Sequence, residues 1–215
     1  MKKKHLAGAM SLLLLAATAQ ATPSSTELKV GGALSPKGAC TVKIGGGGII
    51  DLGKIKVNTV HDNEEVKLPI SAIVLHAACE KNTQITYTVT DNKQGTESQA
   101  GYANFGFGNV NGSGKLGYYK ITAYQGYVDD ISTSLFHSMN NNGLVTTSMP
   151  MLSVDKENYH GWVSVKDSTR AAIGKDYKLS LAIDPTLGSK KDMKGPLTED
   201  VALDGSATFN LFYSI

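Results

Sequence analysis

Charge is scarce in this 215-residue chain: Lys, Arg, Asp and Glu together make up 19% of it, against roughly 25% in ordinary soluble domains. With 21 basic and 19 acidic residues, the balance is near neutral and offers no basic face for nucleic acid. An apolar fraction of 41% excludes wholesale disorder. Signatures of catalysis are missing as well. There is no His-Glu-x-x-His zinc motif, no Gly-x-Ser-x-Gly elbow and no EF-hand loop. The stretch Gly108 to Lys115 has a superficial likeness to a phosphate-binding loop. However, five residues separate Gly108 from Gly114 and Leu116 follows Lys115, where that loop needs four and then a Ser or Thr for magnesium. His61, His76, His137 and His160 are scattered, and the carboxylate pairs Glu64-Glu65 and Asp129-Asp130 are adjacent. Neighbouring side chains of a strand point to opposite faces, so such pairs build no acid/base site by themselves. The expectation is a protein that is not an enzyme and needs no metal or cofactor.

What is present in excess is glycine, at 23 residues, above the roughly 7% norm. Glycine with little charge favours turns and strands, and the length suits one domain with an ample core.

The N-terminus reads as a secretory signal. Met1 to His5 is basic, Leu6 to Ala19 is apolar around Leu12 to Leu15, and Ala19-Gln20-Ala21 supplies small residues for cleavage. The apolar stretch is short of the roughly 20 residues of a spanning helix, and no later segment approaches one. A mature chain starting at Thr22 would carry 18 basic and 19 acidic side chains, because Lys2, Lys3 and Lys4 leave with the signal.

Export places Cys40 and Cys79 in an oxidising compartment, where a disulfide is the expected pairing. There is no Cys-x-x-Cys and no His pair at ligand spacing, which argues against metal. Closing a loop of about 40 residues stabilises a fold by roughly 4 kcal/mol on the chain-entropy account.

Period-two alternation runs through the chain. Leu28, Val30, Gly32 and Leu34 share a face, as do Cys40, Val42 and Ile44, before the break at Gly45 to Gly48. Ile49 to Ile55 reads as a further short strand. Ile73 to Cys79 and Ile85 to Val89 follow, then Tyr119 to Ala123, Trp162 to Val165, and Tyr177 to Ile183 with a stop at Asp184-Pro185. The last strand sets Ala207, Phe209, Leu211, Tyr213 and Ile215 on one face, with Phe212 out of pattern. Gly101 to Gly117 and Pro185 to Gly205 read as exposed connections. No window shows a helical period, so the fold class is all-β, an antiparallel sandwich with long loops. Tyr118, Tyr119, Tyr124 and Tyr127 are open to two readings. Tyr119 packs inward with the others at strand edges, or Tyr118, Tyr124 and Tyr127 form a surface on which sugar rings or a protein could stack.

Several motifs carry a resemblance. Thr26-Glu27-Leu28, Pro36-Lys37-Gly38-Ala39-Cys40, Gly47-Gly48-Ile49-Ile50-Asp51-Leu52-Gly53, Phe105-Gly106-Phe107-Gly108 with Lys115-Leu116-Gly117, and Leu203-Asp204-Gly205 before a terminal strand with Tyr213 occur in this order. The chain thereby resembles fimbrial-like proteins related to chaperone–usher pilins, and within them an enterobacterial group noted beside glutamate synthase genes. The resemblance implies an immunoglobulin-like pilin sandwich lacking its last strand. Its groove would be filled first by a periplasmic chaperone and then by the N-terminal extension of the next subunit, delivered through an outer-membrane usher. On this pattern residues 1–21 are the signal, 22–34 the extension and 35–215 the pilin-like domain. Leu28, Val30, Gly32 and Leu34 would be the donated face, and Phe209, Leu211 and Tyr213 would border the groove. The mature chain is longer than a compact pilin and Tyr213 stands third from the end, so a self-complete sandwich with extra strands is the other architecture open to it. The functional expectation is a periplasmic or fimbrial subunit, structural or accessory, with a role in cell-surface adhesion. The alternative is a self-complete periplasmic binding module using the Tyr-rich surface.

Overall fold

In a computed structural model the described residues are 40–198 and 200–214; the extension at 22–34 lies outside them. Fourteen strands follow one another: β1 Cys40–Ile44, β2 Val66–Lys67, β3 Ser71–Asp91, β4 Phe105–Gly106, β5 Asn109–Val110, β6 Gly114–Lys115 and β7 Gly117–Val128. Then come β8 Ile131–Thr133, β9 Leu135–Ser138, β10 Ser148–Met149, β11 Met151–Val154, β12 Tyr159–Trp162, β13 Ile173–Leu187 and β14 Ala207–Ser214. Every pairing is antiparallel, and all strands but β5 and β6 belong to one sheet.

That sheet curls over on itself about β3. The first half of β3 pairs with β13, from Ser71 to Ala78, and its second half pairs with β14, from Gln84 to Asp91. Between them Glu80, Lys81 and Asn82 are exposed in succession, and four residues of β3 are opposed by Lys175 alone. A bulge of this kind bends a strand, and β3 crosses there from one layer of a sandwich to the other. One layer is β1, the start of β3, β13, β7 and β11; the other is β14, the end of β3, β12, β9 and β10.

The odd-numbered side chains of β3 face inward through both halves, with Leu75, Ala77, Ile85, Tyr87 and Val89 buried. They share one core with Ile121 and Ala123 of β7 and Leu179 and Leu181 of β13. Trp162 joins the layers: its indole N–H donates to the Lys178 carbonyl at 3.0 Å, and its ring meets Tyr87 and Tyr177 edge-on. The predicted disulfide is present between Cys40 and Cys79, directly opposite across β1 and β3.

Five expectations are corrected. Ile73–Cys79 and Ile85–Val89 are one continuous strand. Ile49–Ile55 belongs to no strand and turns at Gly53, whose φ is 66° and whose N–H donates to Asp51 Oδ1 at 2.7 Å. Gly101–Gly117 is anchored, because Phe105 and Phe107 reach the core and pack on Tyr119 at 5.4 and 5.2 Å. Pro185 does not end its strand. Pairing of β13 with β3 stops at Ile183 and pairing with β2 begins at Thr186, so the missing Pro N–H falls in a gap between partners. Beyond it Leu187, Ser189 and Met193 are buried, so Pro185–Gly205 is only partly a solvated loop.

Candidate functional site

The two flanks of the sandwich differ. On one, β10 pairs with β9 in one layer and β11 with β7 in the other. Only Pro150 separates β10 from β11, so a near-continuous strand crosses the layers and closes that side. On the opposite flank β1 and β14 each pair with β3 and with no other described strand. At Gln84 β13 holds one edge of β3 and β14 the other, which puts β1 and β14 on the same flank.

Between them opens a groove of about 690 Å3. Its floor is core: Ile73 of β3, Ile121 of β7, and Leu181 and Ile183 of β13. Its walls are the unpaired segment 48–57 on the β1 side and residues 200–209 on the β14 side, with Ile55 and Phe209 turned inward. A shallower extension continues between Val42–Gly48 and Ala207–Phe209. Val42 is 42% exposed although it lies on the inner face of β1, opposite the buried Ala77. An inward-facing Val left that open marks a missing neighbour on that side.

Charge is confined to the rim. Lys54 and Asp200, one on each wall, approach to 3.6 Å with both side chains almost wholly in water, where an ion pair contributes little. Tyr119 reaches the groove from the floor, and burial pushes its phenol well above its usual range. Among the described residues no His, Cys, Asp and Glu groups could hold a metal ion, and no helix is long and apolar enough to cross a membrane.

Of the three terminal-strand residues, Leu211 and Tyr213 are not among those lining the groove. Phe209 lines the groove and packs on Tyr87 at 5.8 Å; Leu211 is half-buried against the core; Tyr213 is more exposed. Leu28, Val30, Gly32 and Leu34 are outside the described residues. The tyrosines are dispersed. Tyr119 packs inward. Tyr118 is buried, with burial and then the Glu65 carboxylate raising its pKa. Tyr124 and Tyr127 lie on the outer face of β7, opposite Ser180 and Lys178 of β13, about 20 and 30 Å from Tyr118 at the rise of a strand. Sequence reasoning missed the walls at 48–57 and 200–206, which have no period, and Val42, which alternation assigns to the core like its neighbours.

The family described as a protein of unknown function, DUF1120, matches residues 28–125, a little under half of the chain. The match takes in β1, the wall at 48–57 and all of β3, so one side of the groove and its floor strand lie within it. No curated protein matches the chain.

Proposed function

We propose that this chain is an exported fimbrial-like subunit whose groove receives an extended strand, and that residues 22–34 of another copy or of a related subunit supply it. The observation that carries this reading is the open flank, where two edge strands border an apolar groove floored by the core. A strand laid there would add backbone hydrogen bonds and put alternate side chains inward. Leu28, Val30, Gly32 and Leu34 have that alternation, and a seven-residue strand spans roughly 23 Å. The disulfide supports an oxidising compartment. The partners implied are a periplasmic chaperone, which would cover the groove before assembly, and an outer-membrane usher; the destination is the cell surface.

The mature chain is therefore expected to form oligomers that survive detergent until heated, and a synthetic peptide of residues 22–34 should raise its melting temperature. Val42→Asp tests the groove directly. Because Val42 is already partly in water, the fold should persist, while a carboxylate at the mouth opposes an apolar strand. Oligomers and peptide stabilisation should both be lost. A mature chain that is a stable monomer, with a melting temperature indifferent to a millimolar excess of the peptide, overturns the reading.

A further inference from the structure

Layer two contains a row of groups that the groove alone does not require. His160 of β12 stands opposite His137 of β9 on one side and Tyr87 of β3 on the other, and Tyr87 in turn stands opposite Leu211 of β14. The row thus runs His137, His160, Tyr87, Leu211, from β9 to the strand that borders the groove. His160 is 0% exposed. His160 Nε2 lies 3.1 Å from the Asp155 carbonyl oxygen and 3.4 Å from the Asp155 N–H; in the tautomer that donates to the nearer carbonyl, Nδ1 is a bare lone pair in the core. Neither His160 Nδ1, His137 Nδ1 nor Tyr87 Oη has a hydrogen-bond partner, although all three atoms are buried. Three such orphans in successive positions of one row are unusual, since buried polar atoms are nearly always paired.

We propose that the His137–His160–Tyr87 row is a proton-sensitive element that loosens the β14 wall of the groove in mildly acidic conditions. With the imidazoles neutral, His160 and Tyr87 pack as core, and His137 ends the row with its side chain partly in water. A proton on His160 Nδ1 puts a cation in that core, against the Tyr87 ring at 5.3 Å and opposite the His137 imidazole. Burial already presses the His160 pKa below its usual value, with the Asp155 carbonyl and carboxylate opposing and His137 adding to the effect. Titratable groups face the row from β9, β3 and the loop between β11 and β12. From β9 comes His137, whose Nδ1 is 3.8 Å from the Asp155 carboxylate. From the loop comes Asp155, for which burial is outweighed by hydrogen bonds from Asn158 and the Glu157 N–H, so its pKa stays low. Lys156 of that loop is turned to Asp91 and Glu97. From β3 comes Tyr87, held neutral by burial. Through β14 the row meets only Leu211 and Phe209, which carry no charge. Displacing Tyr87 shifts both, because Phe209 packs on its ring.

The sign follows from His160. A group whose folded pKa is depressed binds more protons unfolded, so its contribution is whole above the unfolded value near 6.5 and is lost as pH falls below it. What the device controls rests on the groove reading, but its titration does not. The mature chain is examined by hydrogen exchange at pH 7.5 and 5.5, with intrinsic rates divided out, and by NMR titration of the imidazole protons. Amides of β12 and β14 are expected to lose several-fold and at most about tenfold protection between pH 7.5 and 5.5, the ceiling for one histidine with an unfolded pKa near 6.5, and His160 to titrate below an ordinary histidine. His160→Gln should show equal protection at both pH values. Should that variant not fold, His137→Gln keeps the test, because removing the opposing imidazole should raise the His160 midpoint and move the opening to higher pH. Equal protection in the wild type, an ordinary His160 midpoint or an unchanged midpoint in His137→Gln overturns the device. A pH-dependent β14 that binds no strand peptide at either pH leaves the device standing and sinks the groove reading instead.

Discussion

Glycine 114 shows what several glycines of the central segment are for. A Cβ built there would lie 2.0 Å from the Met193 carbonyl oxygen and 2.8 Å from that of Val110, and backbone atoms cannot give way as a side-chain tip can. The residue permits three main-chain segments to meet, among them the loop that carries buried Met193. Gly114→Ala is expected to cost about 2–3 kcal/mol, in the upper range for overpacking, read as a fall in the urea midpoint. Gly47 is the contrast. It has a left-handed φ of 69° with nothing within 4 Å of a Cβ, and Asn tolerates that conformation. Gly47→Asn should move stability by no more than about 0.5 kcal/mol. If the two variants behave alike, close approach is not what Gly114 provides.

Strands were legible in the sequence wherever one face met water. Alternation located β1, both halves of β3, the inner face of β7, the run of β13 and β14, because period two follows directly from the pleat. It did not show that β3 is one strand serving two layers, since a bend leaves the parity of inward residues unchanged. Nor did it reveal the groove, whose walls at 48–57 and 200–206 owe their position to tertiary contacts rather than to any local preference. Pro185 misled for a related reason: a breaker acts only where its missing donor is needed, and that depends on the neighbouring strand. The disulfide was legible from compartment chemistry, and its place gives it a specific duty. It fastens edge strand β1 to β3 at the point where β3 leaves the first layer. Replacing Cys40 and Cys79 by Ala is expected to remove about 4 kcal/mol and lower the melting temperature by roughly 8–15 °C. Exchange should rise first at the amides of Leu75 to Cys79, which β1 covers. A change under 2 °C would mean that β1 is held by packing alone.

Among the described residues the sandwich is lopsided: a strand seals one flank by crossing between layers, and the other flank leaves the core accessible. Apolar openings of this size are a hazard to a free protein unless something occupies them. The same construction has a mechanical side. Cys40 is bonded to Cys79, and only five positions further along the strand Gln84 pairs with Ser214, near the end of the chain. Tension applied at the two ends therefore passes through one covalent bridge and a short length of β3, without traversing the loops between residues 40 and 79. Those 39 positions are stored length of roughly 130 Å at full extension, which no pulling force can release while the bridge is oxidised. Single-molecule stretching should give a contour length shorter by that amount in the oxidised protein than in the reduced one. In a filament on a cell surface, each such link would yield less rope before it failed.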